Sequence, residues 1–124
     1  MAPNLDAAQV DAIALLLRRH DIDGVIATNT SNDLHEFADR LPPGQLGGLS
    51  GAPVHTLSLA VIRQLRSALG PEYPIIGVGG ITTAAAALET LDAGATLIQV
   101  WTGFALRGPA LLDDILAALA ARAR

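Results

Sequence analysis

Two glycine-containing segments of the sequence could bind an anion such as phosphate. They are Ile75–Ile81 (IIGVGGI) and Leu97–Gly103 (LIQVWTG), and each begins with a short apolar run. Such runs, bounded by glycine, predict parallel strands that helices bury on both faces. In a loop after a parallel strand, backbone N–H groups can bind phosphate, and glycine lets the main chain approach it closely. We therefore predict two neighbouring phosphate-binding turns.

Three polar residues end another apolar run and could bind a small polar molecule. The run Asp23–Thr30 (DGVIATNT) predicts a strand that finishes in Thr28, Asn29 and Thr30. In parallel barrels the active site lies at the carboxyl ends of the strands, so these side chains are placed for binding. Residues 31–53 follow, and this polar segment exceeds the about 2–6 residues usual between a strand and a helix. Such a segment predicts a binding loop or a lid.

Other kinds of chemistry have less support in the sequence. Ser50 stands in a glycine-rich segment, but none of the histidines, His20, His35 and His55, is placed to act as its base. Histidines and acidic residues are not clustered at metal-ligand spacing, so we expect no metal site. The sequence has no cysteine, which excludes thiolate nucleophiles, disulfides and zinc–sulfur sites. It also has no lysine, so any ammonium group must come from outside these residues.

Helix signals alternate with the three predicted strands. Asp6 and Gln9 have capping-box spacing at the start of the first helix, and Thr82 or Thr83 can cap the third. The predicted helices cover residues 6–20, 54–69, 82–94 and 109–123. The order α-β-α-β-α-β-α predicts an α/β fold with parallel strands.

Composition describes one globular unit over residues 1–124. The chain is 51% hydrophobic and 16% charged, with a mean hydropathy of +0.42. These values exclude a disordered chain. No apolar stretch reaches the about 18 residues that a membrane-spanning helix needs. The net charge of −4 provides no basic patch for nucleic acid.

The number of predicted strands is too small for a closed barrel. An open sheet of three parallel strands leaves two backbone edges and an apolar face that lack neighbours. We therefore expect either a part of a (β/α)8 barrel or a half barrel that associates.

Four motifs, in this order, resemble one known family. They are IATNT at Ile26–Thr30, GGLSGAP at Gly47–Pro53, IIGVGGI at Ile75–Ile81, and QVWTG at Gln99–Gly103 followed by Gly108-Pro109. The series is similar to the C-terminal part of the dihydroorotate dehydrogenase family, and its last motif resembles the class 2, quinone-dependent enzymes. The resemblance implies the last three β/α units of an FMN-binding (β/α)8 barrel. It further implies an oxidoreductase of pyrimidine biosynthesis that converts dihydroorotate to orotate, passes electrons to a quinone and lies peripherally on the cytoplasmic side of the cell membrane.

The resemblance also implies roles for residues at the motif positions. Substrate contacts fall on Asn29 and Thr30, whose amide and hydroxyl groups suit the imide edge and carboxylate of orotate. The family usually has tyrosine where this chain has Trp101. Contacts with FMN and its phosphate are implied for Thr28, Gly51, Gly79, Gly80, Trp101, Thr102 and Gly103.

Some functional groups of the family have no counterpart in these residues. The serine base, a glycine-rich flavin loop and further orotate-binding asparagines lie earlier in the family's polypeptide, and a flavin-contacting lysine precedes Ala-Pro where this sequence has Met1. No catalytic residue is therefore assigned, and we expect residues 1–124 alone to be inactive. Two other hypotheses are a different phosphate-binding barrel, such as a sugar-phosphate isomerase or synthase, and a non-catalytic half barrel that self-associates through its strand edges.

Overall fold

The computed structural model describes residues 1–34, 44 and 47–123, which form five α-helices and three β-strands. In chain order they are α1 (Ala7–Arg19), β1 (Val25–Ala27), α2 (His55–Leu69), β2 (Ile75–Val78), α3 (Ala84–Asp92), β3 (Leu97–Gln99), α4 (Thr102–Arg107) and α5 (Ala110–Arg122). The 3-10 turn Ala52–Val54 leads into α2. Most of the segment predicted to be a binding loop or lid falls on residues 35–43 and 45–46, outside the described residues.

The three strands form one parallel sheet in the order β1-β2-β3. The register pairs Ala27 with Gly77 and Val78 with Gln99, so the strands end at the same edge of the sheet. The predicted α/β fold with parallel strands is thus confirmed. Because carboxyl ends of parallel strands share an edge, the residues that follow each strand lie close together.

The predicted helix ends agree with the structure because local capping sets them. The Asp6 carboxylate accepts a hydrogen bond from the Gln9 N–H at 2.8 Å, and the Gln9 side chain accepts one from the Asp6 N–H at 3.0 Å. The Thr83 hydroxyl, rather than that of Thr82, accepts from the Ala86 N–H and starts α3. Gly70, with φ +80°, ends α2. These bonds satisfy helix-end groups that have no partner inside the helix.

Helices do not bury both faces of the strands, although the apolar runs predict it; one apolar face is open, as expected for a sheet of only three parallel strands. Ala27 and Ile75 lie beneath the helices and are fully buried, whereas Ile26 is 51% and Leu97 61% exposed. Successive side chains of a strand point to opposite faces, so the helices of the described chain cover one face of the sheet only. An apolar run predicts burial on both faces only when the complete sheet is present.

The sequence prediction also missed α4. This six-residue helix, Thr102–Arg107, begins within the second glycine turn and ends at Gly108, which has φ +64°. The sequence gives no helix signal here, because Trp101 provides no side-chain cap and an isolated helix of six residues is not stable by itself.

Two clusters of buried residues hold the helices on the covered face. The smaller one joins α3 and α5 and contains Ile81, Ala87, Leu111 and Ile115. The larger one joins α1 and α2 to the sheet and contains Val10, Ala14, Ala27, Leu59, Val61, Ile62, Leu65, Leu69, Ile75, Ala93 and Ala95. No helix in the described part of the chain is long and apolar enough to cross a membrane.

Candidate functional site

A cleft of about 550 Å³, including space open to solvent, lies where the three strands end. We call it the strand-end cleft. Its lining residues are Thr28, Asn29, Thr30, Ser50, Gly51, Val54, Val78, Gly79, Gly80, Ile81, Gln99, Trp101, Thr102 and Gly103. Every residue for which the sequence implies a cofactor or substrate contact is among them.

The two glycine turns meet because they follow adjacent strands. Gly79 and Gly80 come directly after β2, and the segment Trp101–Gly103 follows β3. Both turns line the same cleft, which confirms that they are neighbours. Their role in binding phosphate stays a prediction.

Glycine is required in these turns by the protein's own packing. Gly79 has φ +121°, and a Cβ atom there would overlap the Ser58 Oγ of α2. Gly80 has φ +74°, and its Cβ would lie 2.5 Å from the Cβ of His55. A Cβ at Gly103 would overlap the Ile81 carbonyl oxygen. The sequence argument assigned this space to an approaching ligand, but the structure fills it with protein.

A hydrogen bond joins the segment between β1 and α2 to the second glycine turn. The Thr102 hydroxyl donates to the Ser50 Oγ at 3.0 Å, and the neighbouring Gly51 has φ +79°. A Cβ on Gly51 would come within 3.2 Å of the Thr102 methyl carbon. Among the described residues, Thr102 is therefore the side-chain hydrogen-bond partner found for Ser50.

His55 supports the first glycine turn from behind, a contact that the sequence analysis missed. Its Nδ1 lies 3.3 Å from the Gly79 carbonyl oxygen, and its Nε2 lies 2.9 Å from a carboxylate oxygen of Glu89. The ring therefore links the start of α2 to α3 and to the turn. The sequence around His55 does not indicate these contacts, because Glu89 is 34 residues away.

The two residues implied in substrate binding lie beside the end of β1. The Asn29 N–H donates to the Met1 carbonyl oxygen at 2.7 Å, and the Thr30 N–H donates to the Asn29 Oδ1 at 2.8 Å. Asn29 is exposed and Thr30 half-buried. Both side chains therefore reach the cleft from a backbone that is held in place.

No charged side chain lines the strand-end cleft in the described part of the chain. An anion bound there would depend on backbone N–H groups and hydroxyls rather than on an ion pair. The same described residues hold no group of three or more histidine, cysteine or acidic side chains that could bind a metal ion.

Comparison with known proteins identifies the family. The sequence matches the dihydroorotate dehydrogenase family over residues 1–122. This chain belongs to the dihydroorotate dehydrogenase family. Similar curated relatives named dihydroorotate dehydrogenase (quinone) are those of Acidovorax sp. strain JS42, 54% identical over 90% of the chain, and of Bordetella pertussis, 51% identical over 100%. The family resemblance is thereby confirmed, and it decides against a sugar-phosphate isomerase or synthase.

Solved structures show the same relation. The ferulenol complex of the Eimeria tenella enzyme superposes with a TM-score of 0.84 at 29% identity over 98% of this chain. The ligand-free enzyme from the same organism gives a TM-score of 0.86 over 96%. The chain spans about a third of the length of these structures and of the curated relatives, 33% and 32–36% respectively. The fold is therefore a part of the (β/α)8 barrel, as predicted.

Proposed function

We propose that these residues form the FMN-binding and orotate-binding strand ends of a dihydroorotate dehydrogenase that uses a quinone as electron acceptor. The observation that carries the proposal is the convergence of all the family-implied residues on the strand-end cleft. Family membership supplies the reaction, the oxidation of dihydroorotate to orotate in pyrimidine synthesis. Peripheral association with the cytoplasmic face of the cell membrane is part of the same proposal.

The cleft has the donor set that FMN would need. Backbone turns at Gly79–Gly80 and Trp101–Gly103 would surround the phosphate, and the hydroxyls of Thr28 and Thr102 would bond its polar atoms. Trp101 is 82% exposed and lines the cleft, so its ring is available to contact the ligand. When bound, FMN supplies the capacity to accept two electrons from dihydroorotate and pass them on.

The residues of this chain bind and orient rather than move protons. Asn29 can donate and accept hydrogen bonds at an imide edge, and Thr30 can donate to a carboxylate. Fixing the substrate ring against the cofactor lowers the entropic cost of reaching the reactive geometry. No residue of the strand-end cleft is proposed as the base, and quinone would approach through parts of the enzyme outside these residues.

Trp101 provides a direct test of cofactor binding, because it is the single tryptophan of the sequence. We expect FMN to quench Trp101 fluorescence saturably, after correction for absorbed light, and riboflavin to bind at least about tenfold more weakly because it lacks the phosphate. Thr102→Val, which removes the hydroxyl bonded to Ser50, should weaken FMN binding. Thr56→Val, at an exposed position of α2, is the matched control. Equal affinity for FMN and riboflavin, or no saturable quenching, would contradict the proposal.

Residues 1–124 alone should not turn over dihydroorotate. The expectation follows from the absence of a proposed base in the strand-end cleft. It is checked by adding dihydroorotate to the purified chain with FMN, without oxygen, and following flavin absorbance near its visible maximum. Bleaching that depends on dihydroorotate would show that the chain contains its own base.

A further inference from the structure

A buried pair of hydroxyls lies directly behind the strand-end cleft. The Thr28 Oγ1 and Ser58 Oγ atoms are 2.5 Å apart, although the residues are 30 positions apart in the sequence. Thr28 is 4% and Ser58 1% exposed. Thr28 lines the cleft, whereas Ser58, on α2, does not. Ser58 therefore touches a cleft residue without being accessible to a ligand itself.

The proton of Ser58 has one acceptor in the described part of the chain. A buried hydroxyl must donate its proton to an acceptor, and Thr28 Oγ1 is the hydrogen-bond partner found for Ser58. In α3, by contrast, the buried Thr90 hydroxyl donates to the Ala86 carbonyl of the preceding turn at 2.8 Å. The two atoms alone allow either direction, and the count of acceptors favours Ser58 as the donor and Thr28 as the acceptor.

This assignment leaves the Thr28 proton for another acceptor. The Val78 carbonyl oxygen lies 3.4 Å from Thr28 Oγ1, and it already accepts the Thr28 N–H at 2.6 Å. A hydrogen bond at 3.4 Å is weak, so an acceptor on a ligand in the cleft can replace it. Gly79 leaves the space that the two hydroxyls occupy, because a Cβ there would overlap Ser58 Oγ and come within 3.1 Å of Thr28 Oγ1.

We propose that Ser58 is a positioning residue that donates to Thr28 and so makes the Thr28 hydroxyl a hydrogen-bond donor toward an acceptor atom of the flavin. This inference rests on the proposed function, because the flavin is the ligand of the cleft. Serine within a helix has a lower helix propensity than alanine, so its presence at a buried position needs a reason of this kind.

A double-mutant cycle on the 124-residue chain tests the coupling, with FMN affinity measured from Trp101 quenching. Ser58→Ala should weaken FMN binding about three- to tenfold when Thr28 is present. In the Thr28→Val background, where the hydroxyl is absent, it should change the affinity less than about twofold. Equal losses in both backgrounds would mean that Ser58 acts only through general packing, and would overturn the proposal. Ser67→Ala, at an exposed position of the same helix, should have no effect.

A second measurement does not depend on FMN. It separates failure of the proposed role of Ser58 from failure of the proposed function. Three-bond couplings measured by NMR should show a single χ1 rotamer for Thr28 in the parent chain and averaged rotamers in Ser58→Ala. An unchanged Thr28 rotamer would overturn the proposal even if FMN binds. If the parent chain binds no FMN, the proposed function fails while the rotamer result still decides the role of Ser58. Should Ser58→Ala not fold, Ser58→Cys keeps the side-chain volume with a weaker donor and replaces it in both measurements.

Discussion

Three glycine residues of the strand-end cleft are required by the packing of the protein itself. Gly79, Gly80 and Gly103 each occupy a place where a Cβ would meet another part of the protein. Two of them also have positive φ angles, which L residues rarely adopt. Substitutions at these glycines therefore test folding, and cofactor binding is better tested at hydroxyl side chains such as that of Thr102.

Gly79 and Gly47 offer a matched comparison, because both have φ +121°. We expect Gly47→Ala to cost about 1–2 kcal/mol from backbone strain, since a Cβ added there would meet no atom of the described residues within 4 Å. Gly79→Ala should cost at least about 2 kcal/mol more, because its Cβ would overlap Ser58. Urea unfolding followed by circular dichroism measures both. Equal losses would show that the turn moves away from α2 without cost.

Which residues line the cleft was predictable from sequence, but their partners were not. Thr28, Asn29 and Thr30 stand at a strand end, so the parallel fold alone places them beside the glycine turns. The bonds from Thr28 to Ser58 and from His55 to Glu89 join residues 30 and 34 positions apart. Such pairs depend on how α2 sits on the sheet, and no spacing rule indicates them.

At the level of elements, one arginine joins the connections that precede two strands. The Arg66 guanidinium donates to backbone carbonyls of the α2–β2 and α3–β3 connections and to the Thr96 hydroxyl. Its carbonyl acceptors are those of Gly70, Pro71, Tyr73 and Gly94, at 2.6–2.9 Å. These connections lie at the end of the sheet opposite the strand-end cleft, where barrel residues contribute to stability rather than catalysis.

Arg66→Met should lower the free energy of unfolding by about 2–3 kcal/mol, because several carbonyls lose a charged donor at once. Arg66→Lys should recover only part of this, since an ammonium cannot reproduce the planar set of N–H groups. Thermal or urea unfolding provides the measurement. Arg63→Met, at an exposed position on the same helix, should change stability by less than about 0.5 kcal/mol. A loss at Arg63 as large as at Arg66 would contradict this role.

Most helix ends could be predicted from capping residues. The presence of α4 and the exposure of strand residues could not be predicted from local sequence patterns, because they depend on packing between distant segments. Asp6, Thr83 and Gly70 set helix ends through local bonds or backbone angles, so their sequence signals suffice. The helix α4 depends on packing against α5 and has no comparable signal. The apolar runs alone predict burial at Ile26 and Leu97, whereas the count of three strands predicts the open face on which both residues lie.

At the level of the whole molecule, the uncovered face of the sheet is the main exposed apolar surface near the cleft. Ile26 and Leu97 are more than half exposed there, and Ile26 and Trp101 line one surface depression. Contiguous exposed apolar surface favours association with another surface. In the relatives, about two thirds of the chain lies beyond the matched region.

We expect residues 1–124, prepared by themselves, to self-associate through this face. Glutamate at both Ile26 and Leu97 should shift the population toward monomer in sedimentation velocity, because burying a charge without a partner is unfavourable. Leu15→Glu is the control, since Leu15 is 68% exposed but lies on α1, away from the open face. A chain that stays monomeric at all concentrations, or an equal effect of Leu15→Glu, would contradict the prediction.

The lining of the strand-end cleft comes from one continuous stretch of polypeptide, from Thr28 to Gly103. It follows that a single exchange of this stretch between two members of the family would replace all the described lining residues together with the hydroxyl pair behind them. Such a chimaera would keep the recipient's earlier segments, so any change in its ligand binding could be assigned to this stretch.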